Sequence, residues 1–228
     1  MNEEQQAKTP AFFTLDAFNG DLVSTLVLAM EAAQQGDQAT WGAFIDDQPD
    51  LRARLTQQGL TDPRTFSTIH WDRATLLFTA CLEVDSEGRP LQIGERLTRE
   101  RFGRFPDHDG SALAYFVEHI RPNRSITDND GSSMYDRIVE LMEQLNDGLT
   151  EAHHGHDGYE SGFGGLQMLG HLSASEVGEL RRLLAGRSWT VSYEEPFDGG
   201  VADIAKHFTT LLKAAERRDV GLVHRRHR

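Results

Sequence analysis

The chain has 228 residues, of which 38% are hydrophobic, and a formal net charge of -13 at pH 7. This length suits one substantial domain, and the negative charge argues against nucleic acid as a general partner, because phosphate contacts need a basic face. No apolar run approaches the roughly 20 residues of a membrane span, and the acidic, polar N-terminus lacks the profile of a signal peptide. We therefore expect a cytoplasmic protein that binds neither nucleic acid nor a membrane.

The first half of the chain has mainly helical patterns. Residues 1–18 are expected to form a loosely ordered leader, after which Asn19 caps the first helix. The spacing of apolar residues at steps of three and four predicts helices near 21–36, 40–46, 50–58, 69–84 and 111–120. In the fourth of these, a strand over 76–84 is an alternative that fits the same residues.

The second half has stronger helix signals. A long amphipathic helix is predicted at 133–153, and Ser173 and Glu176 form a capping box ahead of a helix that ends at Gly186. The remaining predicted elements are a strand at 187–193, a helix at 201–217, a short strand at 221–223 and a solvated basic tail at 224–228.

Together these elements predict an α+β fold, predominantly helical, with a small mixed or antiparallel sheet contributed largely by the second half. We expect a single domain over 19–223, between the leader and the tail. The single cysteine, Cys81, lies in an apolar run, which indicates a buried structural thiol rather than a nucleophile.

The stretch 151–165 combines histidines, acids and glycines, and it is the local cluster that invites a chemical interpretation. Imidazole and carboxylate groups are zinc ligands, and glycines let a loop wrap closely around an ion. The candidate metal ligands are His153, His154, His156 and Asp157.

If zinc binds there, it would lower the pKa of a bound water, with Asp157 or Glu160 as the base and His171 brought near. The spacing of these residues matches no established zinc motif. The competing interpretation, which we favour, is a mobile glycine-rich loop after the long helix.

Two Asp-x-Asp-Gly-Ser stretches, at 107–111 and 128–132, are similar to parts of calcium-binding loops. The positions that an EF-hand loop needs as oxygen ligands hold Phe105 and Phe116 around the first stretch, and Ile126 and Arg137 around the second. We therefore predict turns that cap the helices following them.

Part of the C-terminal third resembles the YfbM-like proteins, a bacterial family of unknown function. The helix start at Leu172 to Val177 resembles that family's L-S-x-x-E-V pattern, and His207-Phe208 matches the His-Phe at the centre of its next helix. The closing A-A-x-x-G-x-x-L-V piece of the family corresponds here to Ala214, Ala215 and Val223. The helix around Trp71 is loosely similar to a tryptophan-containing helix of the same family. This resemblance implies a single cytoplasmic α+β domain and carries no established catalytic residues.

Three functions remain open from the sequence. The first, which we favour, is a non-enzymatic acidic interaction protein, such as an immunity or inhibitor-type protein that docks on a basic protein partner, because acidic surfaces steer basic partners. The alternative is a metal-dependent hydrolase or metal-binding protein that uses the cluster at 153–157. A small-ligand binder with a pocket between the helices and the sheet is the third.

Overall fold

The computed structural model describes residues 10–94, 101–103, 105–123, 129–150 and 158–227. Within these residues the helices are α1 (Gly20–Gln34), α2 (Gln38–Asp46), α3 (Pro49–Gln57), α4 (Arg73–Cys81), α5 (Ala112–His119), α6 (Asn129–Asp147), α7 (Ala174–Ala185) and α8 (Gly200–Arg217). The strands are β1 (Phe12–Phe18), β2 (Arg101–Gly103), β3 (Ile120–Pro122), β4 (Ser161–Gly162), β5 (Leu166–Leu172), β6 (Trp189–Val191) and β7 (Gly221–His227).

A five-stranded antiparallel sheet in the order β2-β1-β7-β5-β4 forms the middle of the molecule. The central strand β7 pairs along its full length with β1, with Leu15 opposite His224, and on its other side with β5, with His171 opposite Val223. A separate pair, β3 and β6, is also antiparallel. The α+β prediction is confirmed, and the sheet is antiparallel throughout.

Helices cover both faces of this sheet. Since successive side chains of a strand point to opposite faces, Leu222 and Val223 of β7 enter different cores. Leu222 packs in a core with residues of α5, α6, α7 and α8, whereas Val223 packs in a core with residues of α1, α2, α3 and α4. The protein is thus a three-layer structure, and its central strands have apolar contacts on both sides.

Local capping explains where several helices begin, as the sequence predicts. The side chain of Asn19 accepts a hydrogen bond from the Leu22 amide at the start of α1. Ser173 and Glu176 form the complete capping box of α7. Residues 73–81 are helical, so the strand alternative for 76–84 is wrong up to Cys81, and beyond it Leu82 and Val84 form only isolated antiparallel bridges.

The close approach of α6 to the sheet depends on Gly170 in β5. A Cβ atom at this position would lie 2.0 Å from the Gln144 carbonyl oxygen and 2.6 Å from that of Leu145. No side chain fits this gap, so the glycine lets the helix backbone rest directly on the strand.

The structure corrects the predictions for both ends of the chain. The segment predicted as a loose leader contains β1, and the segment predicted as a basic tail continues β7 to His227. Both strands are buried because each has neighbours on two sides and helices on both faces. His224 and Arg225, expected in solvent, are 1% and 9% exposed.

Two further boundaries differ from the predictions. The long helix, predicted at 133–153, begins earlier and ends at Asp147, followed by a turn over 148–150. The short strand predicted at 221–223 is seven residues long. Strand pairing to β1 and β5 extends it through polar residues that have no strand pattern of their own.

Candidate functional site

The predicted zinc ligands His153, His154, His156 and Asp157 lie outside the described residues, so zinc binding there stays a prediction. His171, expected nearby, lies in β5 and is 7% exposed, with its ring 6.0 Å from that of Phe18. Glu160 lies just before β4, where its backbone carbonyl accepts a hydrogen bond from the Met168 amide. Among the described residues, no group of His, Cys, Asp and Glu side chains could hold a metal ion.

One face of α6 carries a row of acids that we call the α6 stripe: Asp136, Glu140, Glu143 and Asp147. Spacings of three and four residues place these side chains one above the other along the helix, and all four are exposed. The opposite face of the helix is apolar and buried, through Ile138, Leu141, Met142 and Leu145. The two faces follow directly from the 3.6-residue period of the helix.

This arrangement costs the free protein stability. Like charges three or four residues apart destabilise a helix by about 0.2–0.5 kcal/mol per pair, and the stripe contains three such pairs. Asp147 is also the last residue of α6, where the negative end of the helix dipole disfavours an acid. Arg137 offsets part of the cost at Glu140, with Nη1 2.7 Å from Oε2 of the carboxylate.

The other three acids of the stripe form no ion pair with any residue that the structure describes. Most of the arginines that the structure describes are engaged elsewhere. Carboxylates of other residues pair with Arg52, Arg64, Arg89, Arg181, Arg182, Arg225 and Arg226. Backbone carbonyls bind Arg54, Arg121 and Arg218. Because these cations are neutralised or held within the fold, they leave the negative charge of Asp136, Glu143 and Asp147 uncompensated.

Two concave regions flank the stripe, and Glu143 borders both. The first, which we call the polar cleft, has a volume of about 530 Å³ and lies between the start of α1, α6, the end of β5 and the capping box of α7. Its acidic side chains come from Asp21, Glu140, Glu143 and Glu176, and none of the described lysines and arginines lines it.

Most of the polar groups at the base of this cleft already have partners. Glu176 accepts hydrogen bonds from the Ser173 amide and hydroxyl, and from Gln144 Nε2 at 3.1 Å. Gln144 Nε2 also lies 3.2 Å from the His171 carbonyl oxygen. This hydrogen-bond network joins α6, β5 and α7, so the Glu176 side chain has a structural role. Glu143 and Asp21 lie at the rim of the cleft and remain available for further contacts.

The second region, which we call the His108 cavity, has a volume of about 390 Å³. It lies on the other side of the stripe, against the turn at 107–111. Its apolar wall is formed by Phe13, Ala114, Val117 and Leu169, and its polar residues are His108, Asp109, Ser111, Glu118, Glu143, Asn146, Asp147 and Arg226.

The turn that borders this cavity has an unusual backbone. His108 and Asp109 have φ angles of 50° and 51°, in the left-handed region that side chains disfavour, and Gly110 follows at 95°. Gly110 is required here, since a Cβ atom would lie 2.3 Å from the Ala11 carbonyl oxygen. Ser111 then caps α5 by accepting a hydrogen bond from the Ala114 amide, which confirms the predicted capping turn.

Side-chain contacts hold the turn in place. His108 Nε2 lies 3.0 Å from Glu118 Oε2, and this hydrogen bond is the main cause that lowers the pKa of Glu118 below its usual value. Asp109 forms an ion pair with Arg226 of β7. The turn is therefore fixed both to α5 and to the central strand. For the second Asp-x-Asp stretch, α6 begins at Asn129, but the side chains at 128–132 lie outside the described residues.

Cys81 has the structural environment predicted from the sequence. It is fully buried at the end of α4, and burial raises the pKa of its thiol far above the usual range. A thiol that stays protonated is a poor nucleophile. Cys81 therefore belongs to the core.

None of the described helices has the length and apolar character needed to cross a membrane. Comparisons of the chain with protein-family models, with curated proteins and with solved structures each return no match. The resemblance to the YfbM-like proteins therefore stays a prediction.

The two concave regions beside the α6 stripe are not predictable from the sequence. The four acids were visible as a pattern at 136, 140, 143 and 147, on the polar face of a helix that the sequence does predict. The sequence does not show what surrounds these acids, because the walls of the two concave regions come from α1, α5, β1 and β5, which lie far apart in the sequence.

Proposed function

We propose that this protein is a cytoplasmic, non-enzymatic interaction protein that docks on a basic protein partner through the α6 stripe. The observation that carries the proposal is the row of four exposed acids, three of them without an ion-pair partner among the described residues. A row of like charges along one helix face makes the free protein less stable. A basic partner would relieve that repulsion on binding.

The flanking regions support a docking role. A flat acidic face attracts cations, but adjacent concave surfaces give a partner shape to recognise as well as charge. Glu143 lies on the ridge between the polar cleft and the His108 cavity, and it borders both. A basic segment lying along α6 could thus place side chains on either side of the ridge.

An immunity or inhibitor-type protein fits this description, because such proteins use charge complementarity for fast and selective association. The metal-dependent alternative has no observation in its favour among the described residues, and its four ligands remain a separate prediction.

The test uses a fluorescently labelled peptide of alternating arginine and alanine, with binding followed by anisotropy over a range of salt concentrations. The variant D136N/E143Q/D147N removes three charges of the stripe. We expect it to lower the affinity by about tenfold or more at low salt, and to flatten the dependence on salt.

The matched control is D47N/E194Q/D198N, which removes the same number of exposed acids from other parts of the surface. We expect this control to bind nearly as the wild type does. Equal losses in the two triple variants would mean that the peptide responds only to net charge, and the stripe would then not be a docking site.

A further inference from the structure

The His108 cavity has the size and the mixed lining of a binding pocket. Its volume of about 390 Å³ lies within the range of roughly 300–1,000 Å³ that is typical of ligand sites. Such sites combine apolar walls with a few convergent polar groups. Here Phe13 of β1, Val117 of α5 and Leu169 of β5 supply apolar surface from three different elements.

The charges around the cavity select the kind of ligand. Among the residues that the structure describes, four carboxylates border it, from Asp109, Glu118, Glu143 and Asp147, against one guanidinium, that of Arg226. Arg226 is already paired with Asp109, so the excess negative charge comes from the acids on α5 and α6. Because these acids border the same cavity as the apolar wall, an organic cation is the complementary ligand.

An alkyl cation would use both kinds of surface at once. The methylene stem of a lysine or arginine side chain packs on apolar surface while its charged end reaches a polar rim. In this cavity the apolar wall is adjacent to Glu143 and Asp147, which also belong to the α6 stripe. The pocket is therefore continuous with the surface that we assign to docking.

The backbone of the turn at 107–111 points to the same place. Two successive residues other than glycine, His108 and Asp109, lie in the left-handed region of backbone space, and such conformations concentrate at binding and catalytic sites. The turn places His108 and Asp109 on the border of the cavity, and contacts to Glu118 and Arg226 hold it there. The cavity wall is thus preorganised rather than loose.

We propose that the His108 cavity receives the side chain of a lysine or arginine from the basic partner, as the anchor of the docked complex. This inference rests on the proposed docking function. It adds a defined pocket to the charged stripe, with the alkyl stem against Val117 and Leu169 and the cationic end near Glu143 and Asp147.

The first experiment probes the pocket without any peptide. Butylguanidinium is titrated into the isotope-labelled wild-type protein, and amide chemical shifts are followed by NMR, with butanol as the neutral comparison. We expect shifts from butylguanidinium that are concentrated at Phe13, Val117 and Leu169, and much smaller shifts from butanol.

The second experiment fills the cavity without changing a charge. Ala114 lines the cavity on α5, so Ala114→Leu reduces its volume. We expect this variant to lose the butylguanidinium shifts and to bind the arginine-alanine peptide about tenfold more weakly, while most of the dependence on salt remains because the acids of the stripe are intact. Ala53→Leu, at an exposed position of α3, is the matched control and should bind as the wild type does.

The outcomes separate the two proposals. If the peptide binds through the stripe but butylguanidinium causes no shifts around the cavity and Ala114→Leu binds normally, the anchor pocket is overturned and the docking function survives. If butylguanidinium binds but the peptide does not, the cavity is a site for small cations and the assignment of a partner's side chain is overturned. If neither binds, both proposals fail.

Discussion

Arg225 of β7 and Asp16 of β1 form a buried ion pair in the middle of the sheet, with Arg225 Nε donating to Asp16 Oδ2 at 2.6 Å. Both side chains are at least 90% buried. The guanidinium of Arg225 also lies over the ring of Phe78 in α4, 4.7 Å from its centroid. Thr14 donates a further hydrogen bond to Asp16 at 3.3 Å.

We expect Arg225→Met to destabilise the protein strongly, because it leaves the Asp16 carboxylate buried without its cation. Removing one partner of a buried ion pair costs about 3–5 kcal/mol. Urea denaturation measures the loss in the free energy of unfolding. The double variant D16L/R225M removes both charges and should recover much of that loss, whereas a loss below about 1 kcal/mol in Arg225→Met would mean that water solvates the carboxylate.

Stability should depend on pH through His224, which packs on Phe13 with ring centroids 5.3 Å apart. Burial lowers the pKa of His224 to about 3 in the folded protein, against about 6.5 in the unfolded chain. Below pH 6.5 the unfolded chain binds a proton that the folded protein does not. His224 therefore has no such effect on the free energy of unfolding above pH 6.5, and it lowers that free energy progressively as the pH falls towards 3.

At pH 4.5 the protonation of this one histidine in the unfolded chain lowers the free energy of unfolding by roughly 2–3 kcal/mol. Denaturation of the wild type and of His224→Leu at a series of pH values isolates the effect from that of the carboxylates. We expect the difference in stability between the two proteins to shift in favour of the variant as the pH falls from 7 to about 4.5. A difference that stays constant over this range would show that His224 does not titrate in this way.

Two glycine-to-alanine substitutions should have opposite effects. Gly170→Ala places a methyl group into the backbone of α6 and should destabilise the protein by about 1–3 kcal/mol or more. Gly42→Ala adds a methyl group inside helix α2, where the nearest atom outside the helix lies 3.8 Å away. There the gain in helix propensity should stabilise the protein by about 0.5–1 kcal/mol. Thermal unfolding of the two variants compares them directly.

Removing an acid from the end of the α6 stripe should stabilise the free protein. Asp147→Asn relieves both the repulsion from Glu143 and the unfavourable interaction with the helix dipole, for a gain of about 0.5 kcal/mol at low salt. Asp203→Asn is the matched control, because Asp203 lies in the first turn of α8, where an acid is favourable. Asp203→Asn should lower the free energy of unfolding, and high salt should diminish the effects of both substitutions.

The stability of Asp147→Asn and the peptide binding of the triple variant together test the proposed docking function. If Asp147→Asn raises the free energy of unfolding while the triple variant of the stripe weakens peptide binding, the acid is retained at the expense of stability, as expected for a binding surface. A loss of stability in Asp147→Asn would instead indicate a structural role for this side chain.

The sequence by itself determined the local structure, because caps and apolar periods act over a few residues. Asn19 and the pair Ser173 and Glu176 identify helix starts that the structure confirms. The apolar stripe of α8, which buries Ile204, Phe208 and Leu211, was readable from its spacing alone. The α6 stripe was also present in the sequence, as the polar face of a helix with a strong period.

Only the tertiary structure decided the sheet and its surroundings. Asp16 and Arg225 are separated by 209 positions in the chain, and no local pattern indicates that the two charges neutralise each other. The segment around Arg225 is polar and was therefore predicted as a solvated tail, although pairing on both edges makes it the central strand. For the same reason the walls of the His108 cavity, from β1, α5 and β5, converge beside α6 only after the strands have paired.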